Sequence, residues 1–120
     1  MSDDARARGI EVYKQLNLPR ATGGALPDAF RNMTMEHLFG DVWSRPDLAI
    51  RDRSLVTVTT LAALGRDPEL RTHLHGALNV GVTKAELEEL FLHLAHYAGW
   101  PIAVAGLRAL ADVLEETGRA

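Results

Sequence analysis

Apolar residues recur at helical steps in successive stretches of the chain, the spacing that puts them on one face of a helix. Ile10, Val12, Tyr13 and Leu16 mark a first helix over 5–16. Pro19 and Gly23-Gly24 then break the chain into a loop. A second helix is expected from Pro27, which suits a first helical position, with Phe30, Met33, Leu38 and Phe39 as its apolar residues and Gly40 at its end. Residues 41–46, DVWSRP, follow as a compact connector. Its Trp43 is either an anchor to the core or part of a pocket rim.

Residues 51–64 are the most apolar segment. Val56, Thr57, Val58, Thr59 and Thr60 are β-branched and would permit a strand. The length of the run, the helix-forming Leu61-Ala62-Ala63-Leu64 and the stop at Gly65 predict a helix instead. Its near-uniform hydrophobicity predicts burial on most sides. The next helix is expected over 68–79 with Asp67 as N-cap and a stop at Asn79-Val80-Gly81. Thr83-Lys84-Ala85-Glu86 reads as a capping box that opens a helix to about Tyr97, stopping before Gly99. Trp100-Pro101 begins a last helix that ends near Glu116. The expected fold is all-α: a single-domain bundle of about six helices spanning residues 1–120.

Composition narrows the function. A chain of 120 residues with 47% hydrophobic residues has enough material for one packed core. At this size much surface stays exposed, so a partner subunit would help it. The net charge of −3 comes with no run of Lys or Arg, which argues against nucleic acid. The absence of cysteine excludes disulfides, thiolate catalysis and cysteine-held zinc. Residues 1–4 are acidic and lack the apolar core of a signal peptide, and no apolar run approaches a membrane span. A cytoplasmic protein with no membrane partner is the expectation.

The chemistry concentrates in residues 66–81, RDPELRTHLHGALNVG. This polar helix carries Glu69, His73 and His75 within two turns and lies between apolar segments, as the floor of a small-molecule site would. Four segments carry a family resemblance: FGDVWSRPDL at 39–48, RDRSLVTVTTLAALGR at 51–66, ELRTHLHGALNVGVTKAEL at 69–87 and HYAGWPIAVAGLRALADVL at 96–114. In this order and spacing they resemble the carboxymuconolactone decarboxylase family. Residues 1–38 match less clearly. The resemblance implies an alkylhydroperoxidase D-like helical fold, assembly as a homotrimer or homohexamer, and a cofactor-free decarboxylase of aromatic degradation acting on 4-carboxymuconolactone or a similar acidic lactone.

Alkylhydroperoxidase relatives place two cysteines ahead of a histidine on this helix. Here those positions hold Arg66 and Glu69, with His73 retained, and Ser54 stands where those relatives have a relay glutamate. Peroxidase chemistry has no sulfur to run on. Within the decarboxylase pattern, Tyr97-Ala98-Gly99 replaces Tyr-Cys-Gly and Asn79-Val80-Gly81 replaces Asn-Asn-Gly. These departures leave room for an isomerase or cyclase on the same fold, or for a non-catalytic oligomeric ligand-binding protein.

Such a decarboxylase must stabilise an enolate, hold an acidic arm and deliver a proton to carbon. The resemblance makes His73 the expected acid. Glu69, one turn earlier, can orient its ring and raise its pKa. Tyr97 is the expected oxyanion donor and the third catalytic residue. Arg66, Arg45 and Arg51 are expected to grip carboxylates, with His96 and Trp43 lining the pocket. Arg53 is expected to pair with Glu69 inside the chain. His93 and His96, with Glu89, would be half of a metal site at most, and no metal or other cofactor is expected. His93 is expected at the surface or an interface, and Trp100 as a packing or interface anchor. His75 faces away from His73, His37 is a distant candidate for the pocket, and Asn79 is expected only to end its helix.

Overall fold

A computed structural model describes residues 3–20 and 23–120. The acidic start and the loop at 19–24 fall partly outside them. Among the described residues there is no strand. Six helices follow in order: α1 (Asp3–Leu16), α2 (Asp28–Met33, continuing as a π-helix over Thr34–Trp43), α3 (Ile50–Ala63), α4 (Asp67–Asn79), α5 (Lys84–Ala98) and α6 (Trp100–Glu116). No described helix is long and apolar enough to cross a membrane.

Helices α3 to α6 make one bundle. α3 packs on α4 and α5 on α6, and α4 and α6 meet across the middle. Val58, Leu70, Leu74, Leu87, Phe91, Leu110 and Val113 fill its core. The remaining layer, α1 with the π-helix, has its own smaller core of Val12, Leu16, Phe39 and Trp43 and leans on α4. The expected capping box is present: the Thr83 hydroxyl accepts from the Glu86 amide, and the Glu86 carboxylate accepts from the Thr83 amide at 2.9 Å. The reversal from α5 to α6 turns on Gly99 alone, at φ 103°, a backbone conformation costly for any residue with a Cβ.

Gly40 does not end the second helix. It sits inside the π-helix without a positive φ, and its role is close approach. A Cβ at Gly40 would run into the backbone of Ala5 on α1, and one at Gly9 into the carbonyl of Met35. The two helices touch backbone to backbone. The Gly40 carbonyl accepts from Arg8 Nε at 3.1 Å and from the Ser44 hydroxyl at 2.5 Å, partners that suit the loosened hydrogen bonding of a π-helix. Of the expected apolar face only Phe39 is buried; Phe30, Met33 and Leu38 are exposed. On α1 the buried stripe is Ala5, Gly9, Val12 and Leu16, while Ile10 and Tyr13 stay partly open.

α3 is a helix, yet it buries one stripe only: Ser54, Val58 and Ala62, one turn apart. Thr57, Thr59 and Thr60 return their hydroxyls to the carbonyls of Arg53, Leu55 and Val56, which satisfies them within the helix. Val56 and Leu64 are exposed, so the apolar composition of this segment serves something beyond the chain's own core. At the next helix Arg66, not Asp67, is the capping position, and it makes no side-chain cap. Asp67 lies in the first turn, where its carboxylate accepts from Arg71 at 2.8 Å. Arg71 also donates to Asp112 of α6 at 2.6 Å. Asn79 does more than end α4. Its amide donates to the carbonyls of Leu16 at 2.8 Å and Asn17 at 3.1 Å, and its oxygen accepts from Arg119 at 3.1 Å. One side chain thus clasps the end of α1, the end of α4 and the C-terminal segment.

Because backbone is the obstacle at Gly40, Gly40→Ala should destabilise the chain by about 1–3 kcal/mol, the range for overpacking. Urea unfolding of both forms measures this, and an unchanged midpoint would show that the two helices can part without loss.

Candidate active site around His73

His73 lies midway along α4, one residue before the fully buried Leu74. Its ring stacks on Trp43 at 6.5 Å between centroids and 25° between planes. Trp43 leans on Phe39 at 5.8 Å, and Phe39 meets Tyr13 edge-on at 5.5 Å. Four rings from three helices therefore form a continuous column from α1 to α4. Trp43 is not on a loop; it is the buried last residue of the π-helix, one turn after Phe39.

Among buried side-chain polar atoms of the described residues, two have no hydrogen-bond partner: Ser54 Oγ and His73 Nδ1. They belong to helices that pack on each other. Burial pushes the His73 pKa below its usual value. Glu69 does not raise it. Glu69 is on the surface, where its own backbone amide, and then Arg66, hold its carboxyl below the usual range. Arg66 donates to Glu69 at 3.1 Å, so the two residues standing at the vanished cysteine positions pair with each other.

The other expected site residues take up separate positions. Arg53 does not pair with Glu69; it donates to the backbone carbonyls of Leu48 at 3.0 Å and Arg45 at 3.2 Å, which ties down the loop that follows Trp43. Arg45 lies 3.6 Å from Asp47. Arg51 bonds Glu86, the capping-box carboxylate of α5. Tyr97 is 79% exposed, with the His93 ring at 5.0 Å. His96 bonds the Leu92 carbonyl at 2.9 Å and meets the edge of Trp100. The packing of α4 is against α3, α6 and α1, so the α5 residues are not gathered around His73 within one chain. No third side chain joins His93 and His96 as a metal ligand among the described residues. His37 stays at the surface, 3.5 Å from Asp41. His75 does face elsewhere: it bonds Glu116 at 3.2 Å and lines a cleft of about 460 Å³ with Arg20, Arg71 and Thr72.

Phe39, Trp43 and His73 lie on the segments that carried the family resemblance. The model of the carboxymuconolactone decarboxylase family matches residues 28–112. The chain belongs to that family. It is 47% identical to a 4-carboxymuconolactone decarboxylase of Acinetobacter baylyi, over 98% of this chain and 93% of the relative. It is 36% identical to a nitrosuccinic acid decarboxylase of Metarhizium robertsii, over 82% of this chain and 73% of the relative. An uncharacterized 15.0 kDa protein of Paracoccus denitrificans is 29% identical over 68% of the chain. Both functionally named relatives are decarboxylases, and this family member is an enzyme of the same carbon–carbon lyase class. The family match begins with α2 and takes in Phe39, Trp43 and His73, the inner three members of the ring column.

Sequence reasoning found His73 and Trp43 but not the column. Phe39 and Trp43 are one turn apart, and that aromatic spacing is the signal that could have pointed to it. Tyr13, from a distant helix, left no such trace.

The buried His73 has a consequence for stability. The unfolded chain binds a proton near the ordinary pKa of about 6.5, and the folded chain does so only at lower pH. The unfolded state therefore holds more protons just below that value, and stability falls as pH drops through it, by at most about 1.4 kcal/mol per pH unit from this group. His73→Gln removes the titration. Urea midpoints between pH 7.5 and 5.5 should fall less steeply in that variant; equal slopes would mean the folded site accepts the proton as readily as water does.

Proposed function

We propose that this chain decarboxylates 4-carboxymuconolactone or a closely similar acidic lactone without a cofactor, in the cytoplasm and in the degradation of aromatic compounds. The observation that carries this reading is the 47% identity over nearly the full length of both chains. The chemistry is consistent with it. Such a lactone bears its carboxylate on the ring carbon that holds the ring oxygen. Loss of CO2 sends the bonding pair through the ring double bond onto the lactone carbonyl, giving an extended enolate that is then protonated at the carbon beside the carbonyl. The substrate is its own electron sink. Nitrosuccinic acid, on which the Metarhizium relative is named to act, likewise carries its sink, in the nitro group. A family that serves both needs a charge-stabilising site more than a cofactor.

In this reading His73 meets the developing charge and Trp43 forms the pocket wall. Arg66 is the grip for the substrate's carboxylate arm in this reading. Its present partner Glu69 is an exposed neighbour, and exposed pairs are worth about 0–1 kcal/mol, so exchanging one carboxylate for another is cheap. Arg45 and Arg51 are held in the same exposed way. Arg53 is not exchangeable on these terms, because leaving would strip two backbone carbonyls.

The enzyme acts as a homotrimer or homohexamer in this reading. Val56, Leu92, Tyr97 and Trp100 are each more than half exposed. Large apolar side chains in such numbers on α3, α5 and the start of α6 are costly to leave in water. A neighbouring copy that covers them also brings Tyr97 and His96 into a closed setting, which a single chain does not give them.

The test is release of CO2 from carboxymuconolactone, followed by ultraviolet absorbance, with no metal, flavin or nucleotide added. Turnover is expected, and His73→Ala should lower kcat by about 10²-fold or more. A well-folded oligomer with no turnover would overturn the substrate assignment, and trial of nitrosuccinate would then follow. Leu92→Asp should reduce the assembled mass in sedimentation; an unchanged mass would remove α5 from the interface.

A further inference from the structure

We propose that His73 works as the neutral tautomer that carries its proton on Nε2, donating a hydrogen bond to the enolate oxygen instead of acting as the acid that protonates carbon. The proposal rests on the reading of His73 as the residue that meets the reacting atoms. It follows from how the two ring nitrogens are placed. Nδ1 is buried and has no partner of either kind, donor or acceptor. Nε2 is not among the buried unpartnered atoms, and we take it as the nitrogen that meets a ligand. Left without a partner, the buried nitrogen costs about 1–3 kcal/mol in either neutral tautomer, so the open nitrogen decides what the ring can do. A proton on Nε2 leaves the buried nitrogen as a bare lone pair and gives the open side the donor. Which nitrogen is protonated is normally set by what the other one bonds; here the buried side offers no partner, and an oxyanion at Nε2 makes the choice.

The same geometry opposes the imidazolium. A protonated ring must satisfy both N–H groups, and the buried one has nowhere to go. Neither compensating source of charge is in place. Glu69, the carboxylate one turn away, is on the surface and does not raise the His73 pKa. Trp43, stacked on the ring with centroids 6.5 Å apart, is neutral and supplies no counter-charge. The depressed pKa agrees with this arrangement.

The step then balances as follows. The bond between the ring carbon and its carboxylate breaks and CO2 leaves. The electron pair passes through the ring to the lactone oxygen, which accepts a hydrogen bond from His73 Nε2–H. The carbon beside the carbonyl takes a proton from water, the hydroxide takes one from solvent, and His73 ends as it began. The net reaction consumes one proton and releases one CO2.

Two measurements test this. In the first, the histidine side chains are labelled with 15N and the oligomer is observed at pH 7. His73, assigned by its loss in His73→Gln, should show a pyrrole-type Nε2 and a pyridine-type Nδ1. A pyrrole-type Nδ1, or two equivalent protonated nitrogens, overturns the proposal without reference to any substrate. The second compares His73→Gln, His73→Asn and His73→Ala in carboxymuconolactone turnover, each checked for folding and assembly. The amide nitrogen of Gln reaches the place of Nε2 and can donate but cannot act as an acid; that of Asn mimics Nδ1. Gln should retain roughly tenfold or more of the rate that Ala loses, out of about 10²–10³ for an oxyanion donor, and Asn should not. Equal losses in Gln and Ala overturn the donor role. Wild-type turnover in His73→Ala would overturn the underlying reading that His73 meets the reacting atoms, and this proposal with it.

Discussion

Everything distinctive about the site depends on two helices touching without side chains between them. Gly9 and Gly40 let α1 and the π-helix meet at backbone distance, so the π-helix is drawn toward α1 along the length that carries Phe39 and Trp43. From there the ring column descends onto α4 and ends at His73. Larger residues at the crossing would force apart α1 and the π-helix that carries Trp43. Burial pushes the pKa of the imidazole down, and the close crossing that positions the column lies some distance away. Arg53 reinforces it from the other side by holding the carbonyls of the loop that leaves Trp43.

The charges around the site follow a different logic. Glu69, Arg66, Arg45 and Arg51 are exposed or half-exposed, each paired with a neighbour. Pairs of this kind contribute little to stability and are free to exchange. The molecule therefore keeps its aromatic column, with His73 at one end, separate from these exposed and exchangeable charges. A substrate that brings its own electron sink fits that division, because the protein need only supply a donor, a wall and a counter-charge.

The fold was largely legible in the sequence because helices declare themselves locally. Capping box, glycine stops and apolar spacing gave the α5 and α6 boundaries closely, and the resemblance of four ordered segments pointed to the family. Failures came where one residue type serves two purposes. Gly40 looked like a stop because glycine is favoured at left-handed helix ends, yet it is there for close approach. The apolar run on α3 looked like total burial, yet one stripe is buried and the rest faces outward. Asn79 looked like a helix end and proved to clasp three segments. In the site, His73 and Trp43 could be singled out by type and position. The expected Glu69–His73 coupling, which rested on spacing alone, gave way to an Arg66–Glu69 pair that was equally close in sequence.

By itself the sequence determined the helical class, the order of the helices and the exclusion of thiol chemistry, and it singled out His73 as a candidate. These are properties of local periodicity and of side-chain chemistry, and they need no knowledge of what lies across the bundle. The tertiary structure alone decided that Trp43 covers His73, that Nδ1 is left without a partner, and that the α5 residues stand apart from them in one chain. Those facts depend on contacts between residues tens of positions apart, with Trp43 and His73 on different helices and Gly9 and Gly40 on a third crossing. Protonation state is set by burial and hydrogen-bond geometry, and neither is written in the spacing of residues along the chain.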